Sequence, residues 1–341
     1  MQRKSVLFTS IILILVLALS SFVIGCDDDD DDGDEAKSYK IGITKIVTHP
    51  ALDANEQGFI DRLAELGFVE GENVEYISKS PEGDATVTST IAQQFVADKL
   101  DLILAIATPT AQACVAAAEG TDIPIVFGSV TDPVAAELIT NWDQPGGNVT
   151  GVSDWLEIPS QIQMILNIMP DIETIGTVYN AGETNSEVQV NALKEAAPGL
   201  GISEVVEAPV ATSADVMTSA NSLIGRVDAI WVGTDNTVVS AFEALVKVCE
   251  DNDIPLFASD VDSVNRGAIA ALGMDYYQVG VMCGDVAARI LNGENPGDIS
   301  AEKINLEDLE LYVYPAAAER MGISIPQEIL DAADQIVEDA E

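Results

Sequence analysis

The sequence holds a single histidine, His49, in 341 residues, and only four cysteines. No two cysteines form a CxxC pair, so no zinc site can assemble at standard spacings. A Ser–His–Asp triad would have only His49 as its base. The patterns that cradle phosphates or expose a nucleophile are missing as well: no GxGxxG follows a strand, and there is no GxxxxGK[ST] or GxSxG. Catalysis, a bound cofactor and a bound metal are therefore not expected. Basic residues are scarce too, with 15 Lys and Arg against 57 Asp and Glu and a formal net charge of −42. Such a chain repels phosphate backbones, and no nucleic-acid partner is expected. The acid run Asp27–Glu35 accounts for few of these carboxylates, so the acidity is spread over the globular part, as suits a salt-rich habitat. Cys114, Cys249 and Cys283 lie in apolar helical stretches and read as small buried hydrophobes with no required disulfide.

What is present begins with a basic start, Arg3 and Lys4, followed by an apolar run from Val6 to Ile24 and then small residues. That order is a secretory signal. Val23-Ile24-Gly25-Cys26 resembles the bacterial lipobox, which implies cleavage after residue 25 and lipid on Cys26. An uncleaved anchor is the alternative, because an apolar run of about 19 residues can span a bilayer. Either reading puts the remainder outside the cytoplasm. The acidic stretch within 26–38 repels itself and reads as a disordered tether.

From Tyr39 onward, short β-rich runs alternate with helical stretches, which predicts an α/β fold with parallel sheets and right-handed crossovers. Leu100–Ala107 is apolar throughout but for Asp101, as expected of a strand buried on both faces. Asp53-Ala-Asn-Glu56 reads as a capping box that opens a helix, and Gly67 as its stop. One order of parts occurs twice. Asp101–Thr108, a helix with Cys114, Asp122-Ile-Pro124, a strand, Ser129 and Asp132 match Asp228–Thr234, a helix with Cys249, Asp253-Ile-Pro255, a strand, Ser259 and Asp260. The match predicts two similar doubly wound lobes. Ligands of open α/β sheets sit at the carboxyl ends of the strands. The loops expected to line a shared cleft are Thr44–Asp53, Thr108–Ala111, Ser129–Asp132, Asn180–Ser186, Thr234–Thr237 and Ser259–Asp262. Their Thr, Ser, Asn and Asp residues equally suit helix capping.

Several blocks together resemble the ABC-transporter substrate-binding lipoproteins related to tryptophan and tyrosine binding. They are Ile46–Asp53, Gly58–Gly67, Ala107–Gln112, Phe127–Pro133, Gly146–Ser153, Tyr179–Ser186 and Ala332–Asp334. The resemblance implies the type I periplasmic-binding-protein architecture: a monomer with two lobes, a hinge of crossing segments and a ligand cleft between the lobes. It also implies delivery of a small-molecule ligand to an ABC permease with a cytoplasmic ATPase. The lobes are expected at 39–153 plus about 274–305, and at 154–273 plus about 306–341. The ligand is expected to be an amino acid, aromatic or branched. Thr108, Thr110, Ala111, Ser129 and Asp132 would contact it from the first lobe, and Asn180, Asn185 and Ser186 from the second. Asp235 and Asp260 would meet its ammonium group, while His49 and Leu52 wall the side-chain pocket. Asp235 also suits a helix cap near Val238. Trp155 and Trp231 read as packing, and Tyr276 and Tyr277 as helix openers outside the site. Tyr314 stands where the family pattern has Asn. A ligand sensor of the same fold, or a sugar or nucleoside binder, is the alternative.

Overall fold

A computed structural model of the chain describes residues 37–339. The expected signal (1–25), Cys26 and the tether as far as residue 36 lie outside the described residues. The chain first lays down β1 (Tyr39–Lys45), β2 (Val74–Lys79), β3 (Leu102–Ile106), β4 (Ile125–Gly128) and β5 (Val149–Ser153). It then crosses to a second sheet for β6 (Thr174–Asn180), β7 (Glu204–Val210), β8 (Ala229–Val232), β9 (Leu256–Ala258) and β10 (Ala270–Gly273). It returns to the first sheet for β11 (Glu302–Lys303) and finishes in the second with β12 (Glu310–Val313) and β13 (Gln335–Ile336). The strand orders are β11-β5-β4-β3-β1-β2 and β13-β12-β10-β9-β8-β6-β7. The fold is α/β with two parallel-sheet lobes, joined by three crossing segments.

One pairing departs from the parallel expectation. β12 runs antiparallel to β10. The cause is topological: β12 enters its sheet directly from the other lobe, at the end where β10 leaves. A strand entering there can only run back, whereas a helical crossover would have returned it to the far end first.

Helices cover both faces of each sheet. In the first lobe these are α1 (Pro50–Glu65), α2 (Ala85–Ala97) and α3 (Thr108–Ala117). In the second they include α4 (Ile158–Ile168), α5 (Thr184–Ala196), α6 (Val216–Asn221), α7 (Asn236–Val239), α8 (Phe242–Asp251) and α9 (Asp262–Asn265). After the second crossing, α10 (Tyr276–Leu291) packs back on the first lobe. Alternate residues of β3 serve the two layers. Leu102, Leu104 and Ile106 pack with Phe59 and Leu63 of α1 and Val279 of α10. Ile103 and Ala105 pack with Phe95 of α2 and Cys114 of α3. This is why the strand reads as unbroken apolar sequence.

The expected capping box is not used as one. The first helix begins a turn earlier, with His49 as N-cap and Pro50 in its first turn, where proline's missing N–H is not needed. Asp53 and Glu56 point instead at Lys45, whose ammonium pairs with Asp53 and lies 2.7 Å from Glu56. Gly67 does end the helix, with φ of 90° just past the C-cap Leu66. β5 escapes a sequence reading because Gly151, Thr150 and Ser153 dilute its apolar pattern. Cys114, Cys249 and Cys283 are free and buried on α3, α8 and α10. Tyr314 stands just before the helix Pro315–Arg320 in the second lobe, with its hydroxyl on Asp339 and the Arg320 guanidinium 5.0 Å from its ring centre. No helix of the described residues is long and apolar enough to cross a membrane.

The contact between α1 and α10 is made by backbone. A Cβ on Gly58 would lie 2.1 Å from the Tyr277 carbonyl, and one on Gly280 2.0 Å from the Asn55 carbonyl. The polar pairs Tyr277–Asp61 at 3.0 Å and Arg62–Asp285 at 2.8 Å flank it. Gly280→Ala is therefore expected to destabilise the protein by at least about 2 kcal/mol, as overpacking does. Gly199→Ala, where a Cβ meets nothing within 4 Å, is the control. Urea unfolding of the two variants checks this, and equal midpoints would contradict the close packing.

Candidate ligand-binding cleft

The carboxyl ends of both sheets supply one small cavity. From the first lobe come His49 and Leu52 at the start of α1, and Ser129 and Thr131 after β4. The second lobe adds Asn185 of α5, Thr234 and Asp235 before α7, Asn236 and Val239 within it, and Asp260 after β9. The crossing segments add Asp154 and Tyr276. The free space is about 20 Å³, room for about one water molecule, so the cleft is shut upon itself. A larger groove of about 960 Å³ adjoins it, shares Asn236 and includes Glu82, Pro109, Asn180 and Glu183.

Two strand-end turns in the first lobe hold non-glycine residues in the left-handed region: Ala107 at φ of 78° and Ser129 at φ of 52°. Such backbones are unfavourable and concentrate at ligand clamps. The Ser129 hydroxyl lies 2.6 Å from Asn55, a residue of α1 with no exposure.

Three carboxylates face the cavity, and each is held by internal donors. Asp154 accepts from Thr131 at 2.9 Å and Tyr276 at 3.0 Å. Burial pushes its pKa up to about 6. Asp235 accepts from the Val238 N–H at 2.8 Å, from the Asn180 N–H at 2.5 Å and from Ser186 at 2.7 Å. Burial and the neighbouring Glu183 hold its pKa well above the usual carboxylate range. Asp260 accepts from the Ser263 N–H at 2.8 Å and its hydroxyl at 2.6 Å. Burial lowers the His49 pKa to about 4 against the pull of Asp260, which leaves the ring neutral. No Lys or Arg lines the cavity. Among the described residues no group of three or more His, Cys, Asp or Glu could hold a metal ion.

Residues 40–337 match the family model described as ABC transporter substrate binding protein. The chain belongs to the ABC transporter substrate-binding protein family. A tyrosine-binding protein of Clostridioides difficile (strain R20291) is 40% identical over 280 residues, covering 82% of this chain and 80% of the relative. An ABC domain in complex with L-Trp from Streptococcus pneumonia superposes with a TM-score of 0.84 at 32% identity, over 88% of this chain and 100% of that one. The ligand-free, open structure of a substrate-binding protein with adhesive properties from Clostridium difficile gives a TM-score of 0.67 at 38% identity, over 89% of this chain and 100% of that one. The fold is that of the type I periplasmic binding proteins, and this substrate-binding protein is a binder and not an enzyme.

Of the residues expected at the ligand, the structure brings His49, Leu52, Ser129, Asn185, Asp235 and Asp260 together around the cavity. Asn180 lines the adjoining groove, with its amide 2.9 Å from Thr237. Ser186 stands one step back and holds Asp235. Asp132 caps its own turn through the Val134 and Ala135 N–H groups. Thr110 returns its hydroxyl to the Ala107 carbonyl at 2.9 Å, and Ala111 is buried in the first-lobe core. Thr108 is buried, with its hydroxyl unpaired. Trp231 lies in the second-lobe core, as its apolar run predicts. Thr131 and Thr234 line the cavity from two of the loops expected to do so; Asp154 was not singled out, and Tyr276, expected outside the site, lines it as well. An acid directly after the strand-ending Val152-Ser153 was the available signal for Asp154. Tyr276 reads as a helix opener because its spacing is helical, and only the crossing turns it inward.

An acid whose folded pKa stands above its ordinary value holds its proton more tightly when folded, so its contribution to stability falls as pH rises. For Asp154 the window runs from its ordinary 3.8 up to about 6. The unfolding free energy of the unliganded protein, minus that of Asp154→Asn, should therefore decrease across this window. Chemical denaturation at both ends tests it, and a difference independent of pH would refute the assignment.

Proposed function

We propose that this protein captures an amino acid by cleft closure and presents it to an ABC permease with a cytoplasmic ATPase, from outside the cytoplasm and tethered through lipid on Cys26. The observation that carries the reading is the charge of the cavity: three carboxylates face it, and no Lys or Arg does. A ligand ammonium is the group such a site stabilises most. Asp260 is the candidate to receive it: each of its oxygens accepts one hydrogen bond, both from its own neighbour Ser263, and keeps a lone pair free, whereas Asp154 is engaged by Thr131 and Tyr276 from two different elements. The ligand carboxylate would meet hydroxyls and strand-end N–H groups. Buried hydroxyls without a protein partner, on Thr44, Thr108 and Ser259, stand at the strand ends that the cleft joins.

Closure is a hinged motion in this reading. It brings 39–153 plus about 274–305 toward 154–273 plus about 306–341. In support, the chain superposes better on the tryptophan complex, with a TM-score of 0.84, than on the open, ligand-free relative, with 0.67, although the open relative is the more similar in sequence. The present cavity is too small for any amino acid, so entry requires the lobes to part. The adjoining groove, lined from both lobes, is the natural route.

A thermal-shift screen of amino acids, sugars and nucleosides tests the ligand class. A true ligand at about 100 times its Kd should stabilise the protein by about 2.7 kcal/mol. A response to sugars or nucleosides alone would overturn the amino-acid reading. Asp260→Asn should weaken binding of the responding amino acid roughly 10- to 100-fold, the worth of a charge-assisted hydrogen bond. Calorimetry that finds its affinity intact would move the ammonium site elsewhere. In a producing cell, Cys26→Ser should shift the protein from the membrane fraction to the medium or periplasm. Retention at the membrane would favour an uncleaved anchor.

A further inference from the structure

One hydroxyl of the cleft has its hydrogen aimed by a residue that stands outside the lining. Gln189 of α5 is 2% exposed and does not reach the cavity. Backbone holds its amide at both ends. Its Oε1 accepts from the Thr234 N–H at 3.1 Å, and its Nε2 donates to the Asn185 carbonyl at 3.2 Å. The two ends are not interchangeable, because a flip would set the NH2 against an N–H and the oxygen against a carbonyl. Nε2 also lies 2.6 Å from the Thr234 hydroxyl, to which it can only donate. The support is close and firm. A Cβ on Gly233 would lie 2.8 Å from Gln189 Oε1, and the Asn185 amide donates to the Thr234 carbonyl at 2.8 Å.

The Thr234 hydroxyl accepts from Gln189, so its own hydrogen is left for another acceptor. The Thr131 hydroxyl of the first lobe lies 3.3 Å away. Thr131 gives its hydrogen to Asp154 at 2.9 Å. Asp154, with a pKa of about 6, is ionised at neutral pH and accepts only. The groups on either side of the Thr131–Thr234 contact therefore demand one direction of donation, from the second lobe to the first. We propose that Gln189 is a positioning residue for ligand capture: by donating to Thr234 it directs that hydroxyl's hydrogen across the cleft onto Thr131, and so fastens the second lobe to Asp154 when the cleft shuts. The bond is made only with the lobes together, so it favours the closed form and the retention of ligand. The proposal rests on the closure reading above and not on the class of the ligand.

The test is a double-mutant cycle read by titration calorimetry with L-tyrosine. Gln189→Glu keeps the size of the side chain and the oxygen that meets the Thr234 N–H, but puts an acceptor where the donor was. The Thr234 hydroxyl then turns toward it and away from Thr131. Affinity should fall about fivefold, the worth of one neutral hydrogen bond. Thr131→Val removes the receiving hydroxyl, and in that background Gln189→Glu should cost nothing further. Gln189 and Thr131 each bond to Thr234 and not to one another, so such coupling runs through the Thr234 hydroxyl. An equal cost in both backgrounds would overturn the proposal and mark the amide as a support of the turn alone. Unchanged affinity in the Gln189→Glu single variant would overturn it too. Where circular dichroism shows Gln189→Glu unfolded, Gln189→Met takes its place in the cycle; it frees the Thr234 hydroxyl without reversing it, and its smaller cost must likewise vanish beside Thr131→Val. Small-angle scattering that finds no compaction of the wild type on binding would remove the closure reading and the proposal together. If the wild type binds a sugar or nucleoside and no amino acid, the amino-acid reading alone fails, and the same cycle with that compound decides the proposal by the same criterion.

Discussion

The geometry of the cleft depends on one buried carboxylate where the lobes meet. Asp154 lies on the first crossing segment and is nearly without exposure. It accepts from Thr131, which belongs to the first lobe, and from Tyr276, which opens α10 just after the second crossing. A buried charge left unpaired is costly, so this arrangement holds only while all three elements stay in register. Thr131 also lies 3.3 Å from Thr234 of the second lobe, whose own hydroxyl accepts from Gln189 at 2.6 Å. The proton order is then fixed, running from Gln189 through Thr234 and Thr131 to Asp154. A hydrogen-bonded chain thus connects the interior of the second lobe to the hinge, and it exists only when the lobes are together.

The same carboxylates set the electrostatics of the site. Removing Asp154 and Asp235 from water raises their proton affinity, and no cation in the lining offsets it. The nearest basic groups are already engaged: Lys45 with Asp53 and Glu56, and Arg266 with Glu243. The cleft therefore holds stored unfavourable charge that a cationic group can relieve.

Much of the fold was legible because its signals are local. The unbroken apolar run around Leu102–Ile106, the glycine stop at Gly67 and the repeated order of strand, cysteine-bearing helix and Asp-Ile-Pro turn each follow from short-range pattern. The readings that shifted depended on distant partners. Asp53 and Glu56 have capping spacing, but Lys45 at the end of β1 engages both. β12 turned antiparallel because of the end at which it enters its sheet. In the site, His49, Ser129, Asp235 and Asp260 were visible as polar residues in strand-end loops. Asp154 and Tyr276 were hidden, since only the crossings bring them to face the others.

The sequence by itself determined the α/β class, the two lobes, the acidic character and the family, because periodicity, composition and motif blocks survive without any long-range information. The tertiary structure alone decided which strand-end residues share one cavity and which of them are spent on capping. Those questions turn on distances of about 3 Å between residues up to a hundred or more positions apart, where hydrogen bonds are made or missed. Spacing along the chain carries no record of such distances until the crossings are folded.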